Sequence, residues 1–197
     1  MIAPARRAAF EVVRRVFEEE AYADRAFTAA AEKLSAGDRA LAQRLAYGTV
    51  QRVRTIDFGI EEIGKRPVAK LDIAVRASLR LAAYQLAWTS EPVHAVADDA
   101  VELVRAAKLE RAVPFTNAVV RRLGRSMRGL VASLPPGPLR ESYPDWIYET
   151  WVRDFGIDEA IELMEAQNEP PELVVRSEDP VGERSEEHTS ELPVTLI

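Results

Sequence analysis

A chain of 197 residues has room for one or two domains, and 47% hydrophobic with 29% charged residues is ordinary for a soluble globular protein with a core. It has no cysteine and only two histidines, which excludes disulfides, thiolate metal sites and a cysteine nucleophile in these residues and leaves no histidine cluster for a metal. The net charge of −6 hides an asymmetry: residues 1–130 hold 22 Lys+Arg against 16 Asp+Glu, whereas residues 131–197 hold 4 against 16.

The basic part suits an anionic partner and the acidic part does not. Arginine outnumbers lysine 22 to 4, which GC-rich coding explains as readily as phosphate binding. No run approaches the ~20 apolar residues that span a membrane. Arg6, Arg7, Arg14 and Arg15 interrupt the apolar positions of the first 16 residues, so these form no secretory signal. The expected location is the cytoplasm.

The first predicted helix carries Ala9, Phe10, Val13, Val16 and Phe17 on one apolar face. Arg7, Glu11, Arg14 and Glu18 form a polar stripe in which opposite charges can pair. A second helix fits Asp24 to Leu34. Ser35-Ala36-Gly37 breaks it, and Asp38 can cap the next. The third is expected to run from about Arg39 into Ile63, with Gly48 marking a close helix contact. Asp72 to Trp88 is apolar over most of its circumference, as a helix at the centre of a bundle must be. Pro92 suits the first turn of the next helix, and a last one is expected from Pro114 to Met127. No segment shows the alternation of a strand. The reading is all-α, a bundle of six or seven helices over residues 1–128.

Residues 129–138 contain three prolines within four positions, Pro135, Pro136 and Pro138, and read as a linker. A connector follows over 139–183. It has short helices from Tyr143 to Phe155 and from Asp158 to Gln167, then a possible first strand at Glu172–Arg176. From Arg184 the string Arg-Ser-Glu-Glu-His-Thr-Ser-Glu-Leu resembles the translation of a sequencing-library adapter. Residues 184–197, His188 included, are therefore set aside as an artefact, and the natural chain is expected to continue past about residue 183. An acidic disordered tail is the alternative.

Five strings carry a resemblance: Ala5–Ala9, Asp38–Val50, Leu79–Leu86, Pro92–Val96 and Phe115–Leu123. Their order and spacing are similar to the NusB-type helical domain. They are closer still to the version fused to the front of the 16S ribosomal-RNA cytosine-5 methyltransferases of the RsmB or Sun type. The match covers residues 5 to about 126. Ser142–Trp146 and Asn168–Arg176 resemble that family's connector, which a free-standing NusB factor would lack. Departures begin at Ser177-Glu178, where the family tends to have Val-Asn.

The resemblance implies a truncated enzyme whose catalytic domain, missing here in cis, holds S-adenosylmethionine and supplies two cysteines. This chain has neither cysteines nor a glycine-rich donor loop. It is expected to hold no cofactor and catalyse nothing by itself, and to help dock its parent on RNA, 16S rRNA rather than DNA or a membrane. The resemblance places RNA contacts at Arg6 and Arg7. Guanidinium forks suit phosphate oxygens and give affinity with little sequence discrimination. Arg14, Arg121 and Arg122 are further candidates, with Arg125 and Arg128 beside them. Pairing with Glu11 and Glu18 is the competing account of the first helix, and the C-terminal helix dipole that of the last.

Arg39, Arg44, Arg52 and Arg54 are weaker candidates. His94 and Asn117 are expected to be structural. Asp98-Asp99 forms no shared acid–base site, because helical neighbours diverge by ~100°. Trp88, Trp146 and Trp151 are expected to pack rather than stack on bases. Two rival functions stay open: a stand-alone NusB-type transcription antitermination factor and a helical protein–protein scaffold without an RNA role.

Overall fold

The computed structural model describes residues 2–169, and these contain helices and no strand. α1 (Pro4–Glu18) starts with proline in its first turn, where the missing N–H is harmless. Its buried positions Ala5, Ala8, Ala9, Val12 and Val13 lie one residue off the expected centre of the apolar stripe; Phe10 and Val16 pack at its edge. α2 (Ala23–Ala30) is a short antiparallel return whose Ala26 and Phe27 are buried. It ends four residues sooner than expected. The cap of α3 (Ala36–Gln51) is Ser35, whose Oγ accepts the backbone N–H of Asp38 at 3.2 Å.

The expected third helix is two. Its path breaks at Arg52, which ends α3 and begins α4 (Val53–Gly64). A new helix start leaves backbone donors without intrahelical partners, and a later segment satisfies them. α5 (Ile73–Trp88) is the central helix, packed against α1, α3, α4, α6 (Val93–Ala106) and α7 (Val113–Ser133). Twelve of its sixteen residues are buried, in keeping with its nearly unbroken apolar circumference. Its one buried cation, Arg80, is neutralised by Asp57 through two hydrogen bonds of 2.8 and 2.7 Å and lies over the Phe17 ring. Gly48 is where α3 crosses α5: a Cβ there would lie 2.1 Å from the Tyr84 ring. The expected close contact is present.

α7 continues through Arg128 and Gly129 to Ser133, five residues into the expected linker. Glycine lowers helix stability by only ~1 kcal/mol, whereas a proline pushes the residue before it out of the helical region. The helix accordingly stops at Leu134, before Pro135, with ψ 138°.

The connector, expected from the sequence to be disordered because the domain it would pack on is missing, is instead helical over 138–168 and docked on the bundle. α8 (Pro138–Glu141), α9 (Asp145–Phe155) and α10 (Ile157–Asn168) follow the prolines. The side chain of Ser142 accepts the free N–H of Arg54 at 2.9 Å, supplying the cap that the start of α4 lacks locally. Thr55 Oγ1 donates to the Leu139 carbonyl at 2.7 Å. Arg54 donates to the Tyr143 carbonyl and pairs with Asp145 at 2.8 Å. Arg52 pairs with Glu141 at 3.0 Å, both side chains almost wholly buried, and Asn168 donates to the same carboxylate at 3.0 Å. A buried carboxylate held by a guanidinium and an amide has its charge satisfied. The possible strand at Glu172–Arg176 and the string from Arg184 lie outside the described residues.

Candidate nucleic-acid interface

The five candidate arginines fall into two classes. Arg6 points inward: its guanidinium meets Asp99 at 2.6 Å and Glu91 at 3.2 Å, with the side chain only 15% exposed. It ties α1 to α6 and to the turn before it. Arg14 is bound by Glu11 at 2.7 Å and Glu19 at 2.8 Å, and these carboxylates hold its pKa above the ordinary arginine value. The competing account of the helical stripe therefore describes Arg14, with Glu19 in place of Glu18. Glu18 instead joins Arg76 of α5.

Arg7, Arg121 and Arg122 are exposed, and none has a carboxylate partner among the described residues. Arg121 donates to Asn117 Oδ1 at 3.1 Å and Arg122 to the Ala118 carbonyl at 3.4 Å, both weak tethers one turn back. Asn117 thus steadies an arginine rather than a helix start. Arg125 is exposed and Arg128 donates to the Thr89 carbonyl at 2.7 Å. Residues 121, 125 and 128 fall at i, i+4 and i+7, one stripe of α7. Because the helix continues to Ser133, none of these arginines is in its last turn. The dipole effect falls off within that turn, so it does not account for them.

The turn between α5 and α6 joins these elements. Arg6 reaches its Glu91, Arg128 reaches its Thr89, and Val93 seats against Gly124, where a Cβ would lie 2.5 Å from the valine methyl. The start of α1 and the arginine stripe of α7 therefore abut the same turn from two sides. His94 sits exposed in the first turn of α6, facing none of these partners by hydrogen bond. Asp98 is exposed while Asp99 faces Arg6, so the two neighbours diverge as expected. Burial pushes the Asp99 carboxyl up against the opposing pull of Arg6.

Most other cations are committed: Arg52 and Arg54 to the connector, Arg76 and Arg80 to interior carboxylates, Arg39 to the Ala31 carbonyl. Trp88 stacks on Tyr84 and Trp151 tilts against Tyr143, both as packing residues, but Trp146 is 68% exposed. No group of three metal-ligating side chains occurs among the described residues, and no described helix is long and apolar enough to cross a membrane.

A family model described as "NusB family" matches residues 3–125, the span of α1 to the first half of α7. The chain belongs to the NusB family. Its NusB bundle has the fold of the antitermination factor NusB in a complex with NusE and double-stranded RNA (26% identity, TM-score 0.58), covering 62% of this chain and 95% of that one. NusB from Aquifex aeolicus is similar (26%, TM-score 0.56, 68% and 93% covered). Matches of a second kind extend past the NusB bundle into the connector. A probable ribosomal RNA small subunit methyltransferase B from Synechocystis is 31% identical over 87% of this chain. The Pseudomonas putida methyltransferase B is 28% identical over the same share. The chain spans about 40% of the length of these relatives, corresponding to their N-terminal region. The crystal structure of PH0851 shares the fold over 87% of this chain and 40% of its own (19% identity, TM-score 0.65).

Proposed function

We propose that this chain is the RNA-binding N-terminal part of an S-adenosylmethionine-dependent 16S rRNA (cytosine-5) methyltransferase, working in the cytoplasm. The observation that carries the reading is the reach of the similarity. Relatives called small subunit methyltransferase B match across bundle and connector together, whereas the NusB factors match over the bundle. The interlock of Arg52, Arg54 and Thr55 with residues 139–145 supports it, because it builds both parts into one body. S-adenosylmethionine does not fit residues 2–169, which hold no strand and so no strand-to-helix glycine loop; the groups that would hold it are assigned to the rest of the parent protein.

RNA recognition falls to Arg7 of α1 and to Arg121, Arg122 and Arg125 of α7, which are exposed and have no carboxylate partner among the described residues. Guanidinium groups on a helix face present forks to successive phosphates and read shape rather than sequence. Arg6 and Arg14, committed to carboxylates, are given no phosphate contact. The test is fluorescence-anisotropy titration of the purified chain with short 16S rRNA fragments at several salt concentrations. Binding is expected to weaken steeply as salt rises, since each phosphate contact releases a counterion. Replacing Arg7, Arg121 and Arg125 together by alanine should abolish most of that dependence. Unchanged affinity in the triple variant at low salt would remove the assignment.

A further inference from the structure

Where the connector meets the bundle, a groove of about 640 Å³ lies between the α3–α5 crossing and the end of α10. α3 supplies one side and the end of α10 the other, so the groove needs both parts of the chain. It adjoins a hollow of about 470 Å³ that shares Arg52, Trp88 and Glu169 with it. Arg128, the last arginine of the α7 stripe, lines that hollow, so the exposed cations of α7 lead towards the groove. The groove keeps a fixed shape. Tyr84 and Trp88 stack at 5.8 Å, and Arg52 lies over the indole at 5.4 Å. Gln51 ties the two sides by donating to the Gln167 carbonyl at 3.2 Å and to Asn168 Oδ1 at 2.9 Å.

The amides of the groove have bonding capacity to spare. Among the described residues, Gln51 uses only its Nε2, and the side chain of Gln167 uses only its Oε1, accepting the Tyr143 hydroxyl at 3.0 Å. The side chains of Gln43 and of the exposed Arg44 have no partner there. We propose that this groove holds one unpaired nucleotide of a bound RNA, its base edge on the amides of Gln43, Gln51 and Gln167 and its phosphate on Arg44. The inference rests on the RNA-binding reading and adds a base-reading site to the phosphate-binding arginines. An amide offers a donor and an acceptor side by side, as a base edge does. Bases within a duplex are stacked out of reach, whereas an unpaired base turns out and is bonded along its edge. Charge orients the strand. Arg44 and Arg128 belong to the bundle side, Glu165 and Glu169 to the connector side. Phosphates are drawn to the first and repelled by the second, so the RNA backbone follows the bundle and the base turns inward. Tyr84 and Trp88, stacked on each other, shape the slot rather than stack on the base.

The test compares two probes on the full chain by fluorescence anisotropy: a short single-stranded oligouridylate, and an RNA duplex of the same length that offers phosphates but no free Watson–Crick edge. Gln43→Ala combined with Arg44→Ala removes side chains outside the core, and circular dichroism checks that the helices are intact. The double variant should bind the oligouridylate about tenfold more weakly and the duplex as the wild type does. Unchanged binding of both probes, or equal weakening of both, overturns the base site and leaves the RNA-binding reading standing. Failure of the wild type to bind either probe overturns both. As a second measurement, irradiating a thiouridine-substituted oligouridylate on the wild type should cross-link it to α3 between Ala40 and Gln51. Cross-links confined to α1 and α7 overturn the proposal.

Discussion

Arg6 and Arg7 are adjacent, carry the same charge and have opposite fates. The ~100° step between helical neighbours aims Arg6 between Glu91 and Asp99 and leaves Arg7 in water. Breaking a buried pair costs about 3–5 kcal/mol, and the residual exposure of Arg6 places it at the low end. Arg6→Ala should therefore lower the urea midpoint strongly while leaving the salt dependence of RNA binding as it was. Arg7→Ala should do the reverse, lowering the salt slope by about 0.7 for a single-stranded RNA. Asp99 adds a pH signature. Its carboxyl is raised in the folded chain, so the native state holds that proton more tightly than the unfolded one. The stability it contributes is full below the ordinary carboxylate range and is lost as pH rises through the raised value. The stability of the wild type relative to Asp99→Asn should fall as pH rises above the ordinary carboxylate range. A difference that grows with pH would contradict the burial argument.

The helices themselves were legible from periodicity, and the exceptions have separable causes. The face of α5 and the close approach at Gly48 follow from composition alone, because an all-apolar helix has to be central and a mid-helix glycine has to be compensated. Gly48→Ala drives a methyl into the Tyr84 ring and should cost about 1–3 kcal/mol by thermal melting. The break at Arg52 was illegible: no glycine or proline marks it, and its stabilising partners lie some 90 residues later. The inward turn of Arg6 was hidden for the same reason, since Glu91 and Asp99 are remote in sequence. The extension of α7 to Ser133 was readable in principle, because Gly129 alone does not end a helix. That difference changed the account of the α7 arginines, by placing all of them at least a turn away from the helix end.

At the scale of the whole molecule, bundle and connector should behave as one unit. Part-buried bonds and the Arg52–Glu141 pair join the α3–α4 break to α8 and to Ser142 after it, Gln51 reaches the end of α10, and Asn168 ties α10 to Glu141. Urea unfolding followed by helical circular dichroism and by tryptophan emission, which includes Trp151 of the connector, should give coincident transitions. Arg52→Ala leaves Glu141 buried without its cation, and should separate the two curves, the connector melting first. Coincident curves in that variant would mean that the ion pair is incidental.

The hydroxyl of Ser142 has a wider consequence. The start of α4 borrows its cap from a residue beyond the prolines, so the bundle's own architecture is completed by the segment that leads away from it. A body attached after α10 would inherit its bearing from the bundle as an instrument does from a fixed mount, rather than swing on a tether. Loosening that one hydroxyl would be felt as an error of aim at the far end, long before it was felt as a loss of grip.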